Sequence, residues 1–134
     1  MQINKIMNND IIIKKSKIDK KGVFTARDFK KGEVVLKWHP KYLTKIVASK
    51  LPKKEKYYLE HIQKNKYILM QPPERYVNHS CEPNTYIKNL TDIALKNIKK
   101  GKEITSDYTR SSTFFGFTCR CGSKKCRKYI ETLK

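Results

Sequence analysis

The placement of the four cysteines constrains this chain more than any other feature. One stands alone at position 81, and three crowd into Cys119-Arg120-Cys121-Gly122-Ser123-Lys124-Lys125-Cys126. No signal-peptide pattern opens the sequence, which argues against an oxidising compartment and so against disulfides. A C-x-C-x-x-x-x-C cluster with one remote thiol fits a metal better, and four thiolates suit the closed tetrahedral site of one structural zinc ion. Cys81, Cys119, Cys121 and Cys126 are the expected ligands, against the bland alternative of four unrelated buried thiols. Sharing one ion would bring the C-terminal tail back to the middle of the chain.

The lone cysteine sits in the densest chemistry of the sequence, Arg75-Tyr76-Val77-Asn78-His79-Ser80-Cys81-Glu82-Pro83-Asn84. An amide, an imidazole, a hydroxyl and a thiol occupy four consecutive positions, and a proline soon follows. No helix face or strand face is served by such a run. It reads as a site. Further on, Ile104-Thr105-Ser106-Asp107-Tyr108 ends an apparent strand in an aspartate and a tyrosine.

The rest of the pattern is mainly β. Short apolar runs at Ile11-Ile12-Ile13, Val23-Phe24-Thr25 and Val34-Val35-Leu36-Lys37-Trp38 are separated by turns with glycine. Residues 57–62 and 67–70 flank a polar tetrapeptide as a hairpin would, and so do residues 86–88 and 93–95. Apolar spacing at Leu43, Ile46 and Val47 predicts a short helix over residues 42–50, stopped by Pro52. Ala26-Arg27-Asp28-Phe29-Lys30-Lys31-Gly32 is echoed by Leu95-Lys96-Asn97-Ile98-Lys99-Lys100-Gly101, the same turn used twice.

At 134 residues the chain is one domain with a single core. Its 31 Lys and Arg against 12 Asp and Glu give a formal charge of +19. Such an excess attracts nucleic acid or another polyanion, although the lysines are spread along the chain and also read as solvated surface. The densest basic patches are Lys45 to Lys56 and Arg120 to Lys128. No stretch approaches the ~20 apolar residues of a membrane span. A cytoplasmic or nuclear location is the expectation, the nucleus of a host included.

Taken in order, Lys21-Gly22-Val23-Phe24-Thr25-Ala26, the 75–84 run, Glu103-Ile104-Thr105-Ser106-Asp107-Tyr108 and the closing cysteines resemble the SET-domain protein lysine methyltransferases with a post-SET zinc segment. The resemblance spans roughly residues 20 to 130. It implies a mainly β fold of small curled sheets with a pseudoknot-like crossing, short helices and a C-terminal zinc-binding segment. The division would be residues 1–112 for the SET domain and 113–134 for the post-SET segment. The activity implied is methylation of a protein lysine, in a histone tail or another protein, with S-adenosyl-L-methionine as methyl donor.

Residue by residue, the resemblance makes Tyr108 the catalytic hydroxyl. It gives the cofactor to Asn78 and His79, with Lys21, Gly22, Tyr58 and Arg75 beside them. The substrate channel would take Tyr76, Ser106, Phe115 and Phe117. Ser106 stands where the family usually has an aromatic residue that helps to set how many methyl groups fit. Lys20 replaces the first of two glycines common in the family's opening turn.

The chemistry agrees with the residue types. Methyl transfer from a sulfonium to an amine is an in-line displacement, so alignment is the main catalytic resource. The substrate lysine, with a reference pKa of ~10.4, must first be neutral, and a narrow apolar channel favours that form. Contact with DNA or a nucleosome through the basic surface would let a +19 enzyme approach a basic tail. The competing reading is a basic zinc-containing module that binds nucleic acid or chromatin without catalysis. Such a module needs neither Tyr108 nor the Asn78–Cys81 run.

Overall fold

The computed structural model describes residues 9–110 and 117–130. In chain order the strands are β1 (Ile11–Lys15), β2 (Lys21–Thr25), β3 (Val34–Lys37), β4 (Lys41–Leu43), β5 (Leu59–Gln63), β6 (Lys66–Leu69), β7 (Asn78–His79), β8 (Thr85–Ile87), β9 (Thr91–Ala94), β10 (Glu103–Ser106), β11 (Phe117–Thr118) and β12 (Tyr129–Ile130). Two short helices, α1 (Lys45–Ser49) and α2 (Lys53–Lys56), lie between β4 and β5. The strands form small sheets in the orders β1-β2-β10-β7, β3-β9-β8, β4-β6-β5 and β11-β12. This is the mainly β arrangement that the runs of β-branched and aromatic residues predict.

Both expected hairpins form, as β5-β6 and β8-β9. The helix expected over 42–50 is shorter than its apolar spacing suggests. Tyr42 and Leu43 belong to β4, paired with Ile68 and Tyr67. Thr44 then caps α1, its Oγ1 accepting from the Val47 amide at 3.4 Å. Ile46 is 67% exposed and Val47 48%, so the stripe that looked like a core face points to solvent; only Ala48 of this helix is buried. Pro52 does not merely stop α1 but stands at the N-cap of α2.

The core is shared by the first sheet and the β3-β9-β8 sheet. Val23 and Ile104 are fully buried, and Phe29, Val35, Leu36, Val77, Ala94 and Ile98 pack with them. The two echoed segments join these sheets. Phe29 and Ile98 form an isolated antiparallel bridge.

β10 is the strand on which the site depends. It pairs antiparallel with β2, Ile104 opposite Val23, and parallel with β7, Thr105 opposite Asn78 and Ser106 opposite His79. Ile104, Thr105 and Ser106 are all buried. A strand buried on both faces must satisfy its polar groups internally. Asn84 does much of this. Its Nδ2 donates to the Glu103 carbonyl at 2.9 Å, and its Oδ1 accepts from the Thr105 amide at 2.9 Å. One side-chain amide thereby stands in for a neighbouring strand's peptide group. Thr85 Oγ1 donates to the Thr105 carbonyl at 2.8 Å. Asn84 closes the 75–84 run for this structural reason.

Candidate active site and metal centre

The parallel pairing of β7 with β10 sets Asn78 and His79 beside the start of the Tyr108–Arg110 turn of 3-10 helix. The Tyr108 amide donates to His79 Nδ1 at 2.9 Å. An N–H can only donate, so Nδ1 is the acceptor and the imidazole proton sits on Nε2. Burial lowers the His79 pKa, which favours this neutral ring, while nearby Asp107 pulls the other way. The His79 and Tyr108 rings meet edge to face, with centroids 5.3 Å apart.

The Tyr108 hydroxyl donates to the Val77 carbonyl at 2.7 Å. Burial, with smaller contributions from Tyr57, Tyr58 and Asp19, pushes the phenol well above its usual pKa. The hydroxyl therefore keeps its proton and is held in place by the backbone of the Asn78 run itself.

Two cavities open at this crossing. The larger, about 670 Å³, is lined by Asp19, Lys20, Lys21, Lys53, Lys54, Glu55, Tyr57, Tyr58, Arg75, Tyr76, Asn78 and Tyr108. The smaller, about 210 Å³, is lined by Ile18, Asp19, Tyr57, Asn78, His79, Tyr108, Thr118, Cys119 and Arg120. Asp19, Tyr57, Asn78 and Tyr108 line both, so the two spaces meet there. Small-molecule sites of roughly 300–1,000 Å³ are common, and the larger cleft is in that range.

The expected site residues fall into distinct places. Lys21, Tyr58, Arg75, Tyr76, Asn78 and Tyr108 share the larger cleft, and His79 lines the smaller one. Within the cleft Arg75 is already engaged. Its Nη2 meets Glu55 Oε1 at 2.8 Å, its Nε donates to the Met70 carbonyl at 2.9 Å, and its guanidinium lies 4.2 Å over the Tyr58 ring. Arg75 thus builds the wall from α2 and Tyr58. The Lys21 ammonium lies 5.2 Å over the Tyr76 ring.

Gly22 is buried in β2 and lines neither cavity. The space its missing side chain leaves is taken by the Glu103 carboxylate and by Ser16. Ser106 is 3% exposed in β10 and lines neither cavity; its carbonyl accepts from the Ser80 amide at 2.9 Å. Phe115 lies outside the described residues, and so does the side chain of Phe117.

The four cysteines come together. Their Sγ atoms all lie within 4.8 Å of one another. Cys81 and Cys119 are 3.8 Å apart, and a tetrahedral Zn–S₄ centre with bonds of about 2.3 Å has sulfurs separated by about 3.8 Å. Burial pushes the Cys119 thiol up. At Cys121 burial also raises the thiol, but hydrogen bonds with the Cys81 and Ser123 backbone and with the Cys119 and Cys126 side chains together outweigh it and bring the thiol down to about 6. The donor set and spacing suit a thiolate-binding metal ion.

Arg127 ties this cluster to the crossing. Its amide and its Nε both donate to Cys81 Sγ, at 3.3 and 3.2 Å, and its Nη2 lies 3.3 Å from Asp107 Oδ2. His79 Nε2 stands 3.5 Å from the same sulfur. One cation and one imidazole therefore face the Cys81 sulfur, and both also touch the residues around Tyr108.

Sequence reasoning overlooked Ser16, Asp19, Tyr57, Glu103, Asp107 and Arg127 as parts of the site. One signal was present: glycine inside a strand marks a close approach by another group, here the Glu103 carboxylate.

The SET domain family model matches residues 20–109, two-thirds of the chain, and leaves the three C-terminal cysteines beyond its end. The histone-lysine N-methyltransferase trithorax of Drosophila virilis is 32% identical over 137 residues, covering 87% of this chain and 4% of that protein. Human histone-lysine N-methyltransferase 2D is 28% identical over 149 residues, covering 92% of this chain and 2% of that protein. The chain thus spans a small fraction of these curated relatives. A crystal structure of a Plasmodium falciparum candidate histone methyltransferase superposes with a TM-score of 0.64 at 27% identity, over 79% of this chain and 98% of that one. With its β7–β10 crossing and with the match over residues 20–109, the chain belongs to the SET-domain family.

Proposed function

We propose that the protein transfers a methyl group from S-adenosyl-L-methionine to the side-chain amine of a protein lysine, with a histone tail as the first substrate to test. The observation that carries this reading is the position of Tyr108. Its hydroxyl is fixed on the Val77 carbonyl, it lies beside Asn78, and both residues line both cavities.

The larger cleft suits the cofactor in size and in charge. Lys20 and Lys21 offer cations to a carboxylate, Asp19 offers an anion to an ammonium, and Tyr57, Tyr58 and Tyr76 offer faces to a sulfonium and a ring system. When bound, the cofactor supplies a methyl carbon on a sulfonium. The neutral lysine nitrogen would take that carbon as the C–S bond breaks, the bonding pair staying on sulfur, and the surplus ammonium proton would pass to solvent. Tyr108 would present its hydroxyl near the reacting atoms and restrict the approach angle, which is where an alignment-limited reaction gains most. Asn78 and His79 would seat the cofactor, and one zinc ion on the four cysteines would hold the tail against the site.

A +19 chain does not draw in a basic tail by net charge. Contact with nucleosomal DNA through the lysine-rich surface would bring the tail within reach. Incubation with radiolabelled S-adenosyl-L-methionine and either histones, nucleosomes or a cell lysate tests the reading. Label is expected on lysine in wild type and not in Tyr108→Phe. Cofactor binding with no transfer to any protein would leave a module without catalysis.

A further inference from the structure

Asn78 is expected to touch the cofactor, but nothing in the motif says why its amide should point the right way. The structure answers this with residues from two distant segments, the β1–β2 hairpin and β10. Asn78 Nδ2 lies 2.8 Å from Glu103 Oε2, 2.9 Å from the Lys21 carbonyl and 3.2 Å from Ser16 Oγ. A carboxylate and a backbone carbonyl are acceptors only. The NH₂ end must therefore face them, and the carbonyl end, Oδ1, is turned away from that cluster. The Glu103 carboxylate is itself held: Ser16 Oγ donates to it at 2.9 Å from either oxygen, and Ser16 Oγ is fixed by the Ile18 amide at 2.9 Å. Gly22 completes the arrangement, because any Cβ there would collide with the Glu103 carboxylate.

We propose that Glu103 is a positioning residue for the cofactor: buttressed by Ser16 and admitted by the bare face of Gly22, it locks the Asn78 amide with Oδ1 free to accept a hydrogen bond from the cofactor's ammonium group. This rests on the S-adenosyl-L-methionine reading above. Glu103 lines neither cavity and touches no ligand there; it acts through Asn78. Gly22, expected beside the cofactor, thus makes room for a carboxylate.

The test is calorimetric titration of S-adenosyl-L-methionine into the full chain, with thermal melts run beside it. Glu103→Ala should weaken binding about tenfold, the scale of one lost charge-assisted hydrogen bond. Glu103→Gln should stay within about threefold of wild type, because its carbonyl oxygen can still accept from Asn78. Asn78→Ala should weaken binding, and Glu103→Ala added to it should cost nothing further, since the two act as one unit. Should Glu103→Ala fail to fold, Ser16→Ala provides a milder variant with a smaller loss of affinity. Unchanged affinity in folded Glu103→Ala, or in Ser16→Ala should Glu103→Ala not fold, would overturn the proposal, and so would full additivity with Asn78→Ala. Loss in Asn78→Ala but not in the others would leave the cofactor reading standing alone. Absence of binding in wild type would remove both.

Discussion

Phe29 and Ile98 exchange both of their backbone hydrogen bonds, at 2.8 Å in each direction. They hold equivalent places in the two echoed segments, and the symmetry extends to side chains. Asp28 Oδ1 accepts from the Lys100 amide at 2.8 Å, and Asn97 Oδ1 accepts from the Lys31 amide at 2.9 Å. Each segment then turns at a glycine, Gly32 with φ of 90° and Gly101 with φ of 88°. The repeated turn is thus a local two-fold in which each copy caps the other.

Gly32→Ala and Gly101→Ala should therefore cost similar amounts, about 1 kcal/mol or somewhat more each, because an L-residue at that φ is strained. Nothing lies within 4 Å of a Cβ at either position, so the cost is conformational and not steric contact. Urea unfolding of the two variants checks this. A difference of several kcal/mol between them would break the equivalence.

Tyr108→Phe should lower turnover by about 100-fold or more, the scale of losing one oriented donor at a reacting centre. Stability should fall by only about 1 kcal/mol from the lost bond to the Val77 carbonyl. Single-turnover methyl transfer and a melt on the same preparation separate the two effects. Near-normal turnover would make Tyr108 structural.

Removal of the metal should release the tail. Purified protein is expected to hold close to one zinc per chain by elemental analysis, and Cys126→Ser or a strong chelator should abolish it. Because Arg127 bridges Cys81 and Asp107, hydrogen-exchange protection should fall both in residues 117–130 and around Tyr108. Full protection in a metal-free protein would contradict the shared site.

Asp92 links stability to pH. It is fully buried, takes a hydrogen bond from Trp38 Nε1 at 2.8 Å, and has its carboxyl pushed up to about 7 by burial, with Glu74 nearby adding to the rise. Glu74 is also buried and raised, while the partly exposed His39 donates its amide to it at 2.8 Å. In the unfolded chain Asp92 loses its proton near its ordinary value of 3.8, well before the folded protein does. Its contribution is therefore fully present below about pH 4 and is lost as pH rises toward 7, on the order of a few kcal/mol. Asp92→Asn should flatten that slope in urea titrations from pH 4 to 7. An unchanged slope would assign it to Glu74.

Ser106→Tyr should destabilise the protein by about 1–3 kcal/mol, since an aromatic ring must enter a strand position that is 3% exposed. A melt decides this before any product analysis. A variant as stable as wild type would mean that the side chain turns toward open space, and the degree of methylation would then be its useful readout.

Much of this was legible in the chain. Short β-branched runs and glycine turns marked the strands, and Asn78, His79, Cys81 and Tyr108 announced themselves by chemistry that no core requires. The remainder depended on the crossing. Glu103 reads as an ordinary polar residue at a strand start, and only pairing with β2 and β7 turns its carboxylate toward Asn78. Ser16 and Asp19 sit in a lysine-rich turn that resembles any solvated loop. Arg75 stands in the lining of the larger cleft, and the sequence could not show that Glu55, 20 residues earlier, pairs with it there. The apolar spacing of α1 misled for the opposite reason: periodicity reports a face, not what covers it.

The bonds around Asn78 carry a consequence for how the protein comes into being. Ser16 meets Glu103 across 87 positions, and Asn78 meets Lys21 across 57. The ends of such long loops must find one another before any of these contacts is made, and that search costs entropy which local structure cannot offset. A ribosome-bound chain that stops short of residue 103 holds Asn78 yet lacks the carboxylate proposed to orient its amide, so that arrangement can be completed only after residue 103 has been made.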